Sequence, residues 1–197
     1  MSKERASFEF TQALRTEADK IIAKYPKGRQ MSAVLPVLDL VQRHNGGWVT
    51  TEMVSAVAEY LDMAPIRVYE VATFYTMINL EPVGETLVEV CTTTPCWLRG
   101  CDEIVQACEE TLGIGLGETG ADGKFTLREV ECLGACVNAP VVRINDDYYE
   151  DLDPHRTRAV LELISRGAIP PPGSQTGRKT SAPASGPTTL SARAGSF

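Results

Sequence analysis

The chain has 197 residues, 43% of them hydrophobic, and a formal net charge of -7. That length can bury a core as one ordinary domain or two small ones, while the negative balance argues against nucleic acid, whose binding needs a clustered basic face. The six cysteines are too sparse for a secreted disulfide scaffold. Met1 to Phe10 offers no apolar core for a signal sequence. Pro36 and Asp39 interrupt the best apolar run, Val34 to Val41, so no membrane-spanning helix is expected, and reduced thiols in a cytoplasm-like compartment follow.

To about residue 82 the pattern is helical. Leu14, Ala18, Ile21 and Ile22 predict a helix over Thr11 to Lys24, ended by Tyr25-Pro26-Lys27-Gly28. A second runs from a Ser32 cap to His44, turning Val34, Leu35, Leu38 and Val41 inward. A third starts near Thr51, whose hydroxyl is the expected cap, and carries Val54, Val57, Ala58 and Leu61. Pro65 opens a fourth, with Val68, Val71, Ala72 and Tyr75 as its stripe. The short link between the last two resembles a DNA-reading turn, but Arg67, Glu70 and Thr73 make no basic face, so packing is the better reading.

Glu81-Pro82-Val83-Gly84 marks a change to β character. Thr86 to Val90 is a predicted strand delivering Cys91. A helix from about Leu98 to Leu112 follows, lined by Cys101, Ile104, Val105, Cys108 and Leu112, and Gly113, Gly115 and Gly117 close it. Phe125 to Val130 is a second strand, delivering Cys132. Val141 to Ile144 and Tyr148 to Glu150 flank Asn145-Asp146-Asp147 as a hairpin. Asp153-Pro154 opens a last helix with Val160, Leu163 and Ile164 inward, and Gly167 stops it. The fold class expected is α+β, an N-terminal helical bundle followed by a small α/β domain of thioredoxin type. The expected divisions are 1–82, 83–166 and a Pro/Gly/Ser-rich tail, 167–197. The tail lacks acidic residues and is read either as free or as an arm ordering along a partner.

Two cysteine pairs carry the chemistry. Cys91 and Cys96 follow the first strand, Cys132 and Cys136 the second, and a strand-helix-strand unit brings both loops to one end of a sheet. Converging thiolates repel, and disulfides or a multivalent cation relieve that. Cys101 and Cys108 fall on the buried helix stripe and read as packing. Zinc tolerates these gaps, but a core the fold can build without metal weakens it. A redox dithiol wants a two-residue gap at a helix start. The longer gaps suit a 2Fe-2S cluster. Spacing favours the cluster and leaves the other two readings open. Thr92, Thr93, Thr94 and Gly134 could supply hydrogen bonds to sulfur. His44 and His155, the two histidines, stand away from the cysteines in sequence. Gly113-Ile114-Gly115-Leu116-Gly117 ends a helix instead of following a strand, so it fails the context of a nucleotide loop. No nucleophile-base pair is visible, and Asp146 and Asp147 serve the hairpin turn.

Asn45-Gly46-Gly47-Trp48, the run Val68 to Tyr75, Cys91 with Cys96, Leu98-Arg99-Gly100, Gly123-Lys124-Phe125, Glu131 to Cys136, Asn138-Ala139-Pro140 and Asn145 to Tyr149 together carry a family likeness from about Tyr25 to Ile164. On these motifs the chain resembles the E-subunit family of NADH-quinone oxidoreductase, the thioredoxin-like 2Fe-2S subunits of respiratory complex I. The resemblance implies that Cys91, Cys96, Cys132 and Cys136 ligate one 2Fe-2S cluster exchanging single electrons with FMN, and that no substrate site lies on this chain. It also implies a neighbouring flavin- and NADH-binding subunit of the F type with a 4Fe-4S centre, and a large iron-sulfur subunit of the G type. The implied location is peripheral, on the cytoplasmic side of a bacterial inner membrane or the matrix side in mitochondria. Cys101 departs from the serine or alanine frequent in relatives. The Ser181 to Leu190 stretch looks like the family's extended C-terminus, which favours complex I over NAD-linked hydrogenases and formate dehydrogenases.

Overall fold

The computed structural model describes residues 8–186 and 189. Met1 to Ser7, and tail residues such as Leu190 and Arg193, lie outside them. The chain divides into two compact units, Met1–Val83 and Gly84–Phe197.

The first unit is helical. Thr11 accepts from the Leu14 amide at 3.2 Å and starts α1, Gln12–Ile22, which buries Leu14 and Ala18. Ser32 is not a cap. It lies in a 3-10 turn, Gln30–Ala33, that leads into α2, Val34–His44, without a side-chain cap. Pro36 in the first turn of α2 has no amide hydrogen, so one fewer orphan donor needs a partner there. For α3, Thr51–Tyr60, the capping hydroxyl belongs to Thr50, one residue before the expected position, and accepts from the Met53 amide at 3.2 Å. Pro65 opens α4, Pro65–Phe74, as expected. That helix buries Val68 and Ala72, whereas Tyr75 falls past its end and is exposed. Val37, Leu38, Val41, Val57 and Leu61 fill the core between the helices. Within it the Gln42 side chain is bonded through both its nitrogen and its oxygen, donating to the Met77 carbonyl at 3.0 Å and accepting from the Asn79 amide at 2.6 Å, as a buried polar group must be.

The second unit holds β1 (Thr86–Cys91), α5 (Thr94–Leu98), α6 (Cys101–Leu112), β2 (Phe125–Val130), β3 (Val142–Ile144), β4 (Asp147–Glu150), α7 (Pro154–Ser165) and β5 (Gly173–Ser174). They form one sheet ordered β2-β1-β3-β4-β5. β1 runs parallel to β2, β3 antiparallel to both β1 and β4, and β5 parallel to β4. Residues 117–120 bond along the outer side of β2, Gly117 donating to the Leu127 carbonyl and Leu127 to the Glu118 carbonyl. Val88, Val90, Leu127, Val142 and Tyr149 meet Ile104, Cys108, Val160 and Leu161 in the core.

Two helix expectations need correction. The single helix from Leu98 to Leu112 is broken, because Gly100 takes a left-handed φ of 85° between α5 and α6, a conformation cheap only for glycine. In α7 the buried side chains are Thr157, Val160 and Leu161, with Ile164 partly covered, while Leu163 is 43% exposed. The inward phase runs through 157, 160, 161 and 164. Thr157 can occupy it because its hydroxyl donates to the Asp153 carbonyl at 2.8 Å. The hairpin turns at Asn145, φ 53°, whose side chain accepts from the Leu87 amide at 2.8 Å.

Residues 170–178 pack back on β4 and the residues next to it. Tyr149 donates to the Pro170 carbonyl at 3.2 Å, Gln175 to the Glu150 carbonyl at 2.9 Å, and Arg178 pairs with Asp151. Among the described residues no helix is long and apolar enough to cross a membrane.

Leu127→Ala is expected to lower stability by about 2–5 kcal/mol, read from the urea midpoint of the full chain, since Leu127 is wholly buried. The Asp153 carboxylate accepts from the Arg156 amide at 2.7 Å, and that bond, with the nearby Arg156 guanidinium, lowers its pKa. The stability it contributes is therefore present above the unfolded carboxyl pKa of about 3.9 and is lost as pH falls through the lower folded value. Asp153→Asn should flatten that part of the acid denaturation curve.

Candidate metal centre

Not all four cysteines of the two pairs lie in loops. Cys91 is the last residue of β1, aligned with Val130 of β2, and its amide donates to the Val141 carbonyl at 3.1 Å. Cys96 lies inside α5, which Pro95 allows to start at once after Thr93. Both are buried, while Cys132 and Cys136 are exposed in the loop after β2.

Thr93 sits at the helix N-cap, yet its hydroxyl makes no cap bond and lies 3.4 Å from the Cys91 sulfur. In the second loop Gly134 has φ 81°, and its amide donates to the Cys132 sulfur at 3.4 Å. Cys136 then begins a short 3-10 turn, Cys136–Asn138, and its sulfur is 3.4 Å from that of Cys132. Tyr148 on β4 ties the loop down by donating to the Leu133 carbonyl at 3.0 Å. The Asn138 side chain donates to the Glu150 carboxylate and, at 3.0 Å, to the Thr180 carbonyl.

Each pair holds one thiol easy to ionise and one hard. Burial pushes the Cys91 thiol up, but bonds from the Thr93 hydroxyl and the Leu133 and Thr93 amides outweigh it, and the result is a lowered pKa. Burial first, then the bond with Cys91, pushes Cys96 up to about 12. The Gly134 amide, followed by the bond with Cys136, lowers Cys132, and that same bond raises Cys136. The Cys91 charge opposes ionisation of both Cys132 and Cys136. The two pairs therefore share one electrostatic site.

Among the described residues, no three His, Cys, Asp or Glu side chains converge as a single ion would require. A two-iron cluster takes four thiolates, the number that the two pairs supply. The Gly134 amide donates to one sulfur and the Thr93 hydroxyl, able to donate, lies 3.4 Å from another, so the donor set fits such a group.

Cys101 and Cys108 are both fully buried, as the helix periodicity predicts, but in different surroundings. Cys108 packs in the sheet core, whereas Cys101 packs against Cys91 and Cys96 with Ala139 and Val141. His44 closes α2 and His155 lies in the first turn of α7. Tyr148 and Asn138 fall in motifs that carry the family likeness, but the support each gives acts on a segment more than ten residues away and leaves no local pattern.

Open space surrounds the place a Cβ would take at Gly134, so backbone conformation alone resists substitution there. Gly134→Ala is expected to cost about 1–2 kcal/mol, measured by urea denaturation of the metal-free chain.

A family model described as thioredoxin-like [2Fe-2S] ferredoxin matches residues 18–165. The chain is 51% identical over 189 residues to NADH dehydrogenase [ubiquinone] flavoprotein 2, mitochondrial, of Dictyostelium discoideum, covering 96% of this chain and 76% of that one. It is 54% identical over 164 residues to the E subunit of NADH-quinone oxidoreductase of Rickettsia bellii, covering 83% and 98%. Among solved structures, an NAD+-reducing [NiFe]-hydrogenase in the air-oxidized state shares the fold with a TM-score of 0.56 at 19% identity, over 68% of this chain and 23% of that chain.

Proposed function

Because the chain belongs to the thioredoxin-like [2Fe-2S] ferredoxin family, we propose that Cys91, Cys96, Cys132 and Cys136 hold a 2Fe-2S cluster, in an electron-transfer subunit of NADH:quinone oxidoreductase. The carrying observation is the paired arrangement at one end of the sheet: a buried pair from β1 and α5, an exposed pair from the loop after β2, a threonine hydroxyl 3.4 Å from the Cys91 sulfur and the Gly134 amide on the Cys132 sulfur. The bound cluster supplies one-electron transfer. Relatives more than 50% identical carry the names of NADH dehydrogenase and NADH-quinone oxidoreductase subunits, whereas the hydrogenase likeness is one of fold. That favours the complex I role over a hydrogenase or formate dehydrogenase diaphorase.

The protein's own groups then have distinct tasks. Thr93 and the Gly134 amide point hydrogen-bond donors at Cys91 and Cys132, which stabilises thiolate charge and raises the reduction potential. Leu133, Ala135 and Tyr148 pack against the buried pair and limit water there. Trp97 and Leu98 beside Cys96, and Val137 beside Cys136, are exposed apolar side chains, which supports the approach of an electron partner on that side. The reading includes a flavin- and NADH-binding subunit of the F type, carrying FMN, and a G-type iron-sulfur subunit as neighbours. The assembly would be peripheral, on the cytoplasmic or matrix face of its membrane.

Anaerobically purified chain should contain iron and acid-labile sulfide in equal amounts and give a rhombic paramagnetic resonance signal after dithionite reduction. Serine at 91, 96, 132 or 136 should remove most of the visible absorption, and Cys108→Ser should keep it. Colourless wild-type protein, or protein carrying zinc alone, would refute the assignment.

A further inference from the structure

The second cysteine pair sits on an exposed loop, and an exposed loop holds a ligand in place only if something fixes its backbone. The turn Cys136–Asn138 is held from outside by the segment the sequence marks as a tail. Arg178 donates through Nη2 to the Val137 carbonyl at 3.0 Å. The same guanidinium grips Asp151, through Nε at 3.1 Å and through Nη2. Asp151 is in turn bonded to the turn, its amide donating to the Asn138 carbonyl at 2.7 Å. The Ser174 hydroxyl donates to the Asp151 carboxylate at 2.6 Å and accepts from the Arg178 amide at 3.2 Å. Two residues on, the Thr180 carbonyl accepts from the Asn138 side chain at 3.0 Å.

We propose that residues 168–186 form a strap that positions Cys136, and that Arg178 is the positioning residue, clamping the Val137 carbonyl against Asp151. The role rests on Cys136 being a cluster ligand. The Arg178 and Asp151 side chains are only 12% and 10% exposed, so the pair is shielded from the solvent screening that makes surface ion pairs weak. A planar guanidinium can serve a carboxylate and a carbonyl at once in fixed geometry, which an ammonium cannot. The strap's composition fits the task, because Pro170, Pro171 and Pro172 stiffen the chain ahead of β5 while no apolar stripe is needed where main-chain bonds and one ion pair do the holding.

The test compares full-length wild type with Arg178→Gln, Arg178→Lys and the double variant Asp151→Asn with Arg178→Gln. The double variant leaves no unpaired buried carboxylate and so protects the fold. Each is loaded with iron and sulfide. Iron release to a chelator, the g values of the reduced protein, and hydrogen exchange at the Asn138 and Ala139 amides of the metal-free chain are then measured. The expected result is about tenfold faster iron release in the glutamine variants, the scale seen when groups that orient metal ligands are lost. Shifted g values and faster exchange at these two amides should accompany it, with lysine intermediate. An iron-loaded Arg178→Gln chain with wild-type release, spectrum and exchange would overturn the strap while leaving the ligand assignment intact. A wild-type chain that takes up no iron would overturn the ligand assignment and this role with it.

Discussion

The parallel register of β1 with β2 is the constraint on which the site depends. Cys91 stands level with Val130, and parallel strands point the same way, so the chain leaves both at one end of the sheet. The crossover through α5 and α6 makes that register attainable. Glu89 and Arg143 help to hold β1 against β3: they are cross-strand partners, their side chains form an ion pair, and Glu89 is almost wholly buried. A slip of one residue would turn every side chain to the opposite face. It would put the Glu89 carboxylate where Val88 and Val90 now pack and leave it unpaired, which is strongly destabilising.

The boundaries set by local chemistry were legible in the sequence. Pro65 and Asp153-Pro154 begin helices through capping and proline geometry that act within a few residues. The strand Phe125–Val130 follows from its β-favouring residues. The misreadings share another character. Thr50 and Thr51 offer the same hydroxyl, and only the extended backbone of Thr50 makes it the cap. Gly100 sits within an apolar periodicity that hides its left-handed turn. Leu163 is apolar but out of phase, and Thr157 takes the inward position because its polar atom is satisfied locally. Arg178 finds Asp151 across 27 residues, a distance at which no sequence pattern operates. For the site, spacing picks out the four cysteines, but the burial of Cys91 and Cys96 and the placing of the Thr93 hydroxyl come from the end of β1 and the immediate start of α5.

The two pairs differ in support. The inner pair is set by regular structure, a strand end and a helix, and packs against Cys101 and Val141. The outer pair depends on bonds from elsewhere, Tyr148 on the Leu133 carbonyl and Arg178 on the Val137 carbonyl. Rigid elements hold side chains more accurately than loops do, so the outer pair needs these ties while the inner pair gets its order from the fold. The inner pair is thereby buried, and the outer pair lies at the surface.

Both rims of the sheet are occupied by short pieces of the same chain. Residues 117–120 take up the Leu127 backbone groups and the Phe125 carbonyl on one side, and the two-residue β5 lies beside β4 on the other. A sheet blunted in this way offers little open ladder on which a second copy could add a strand. Joining a larger assembly would then fall to side-chain surfaces, leaving the hydrogen-bonded layer beneath the cysteines undisturbed by whatever binds.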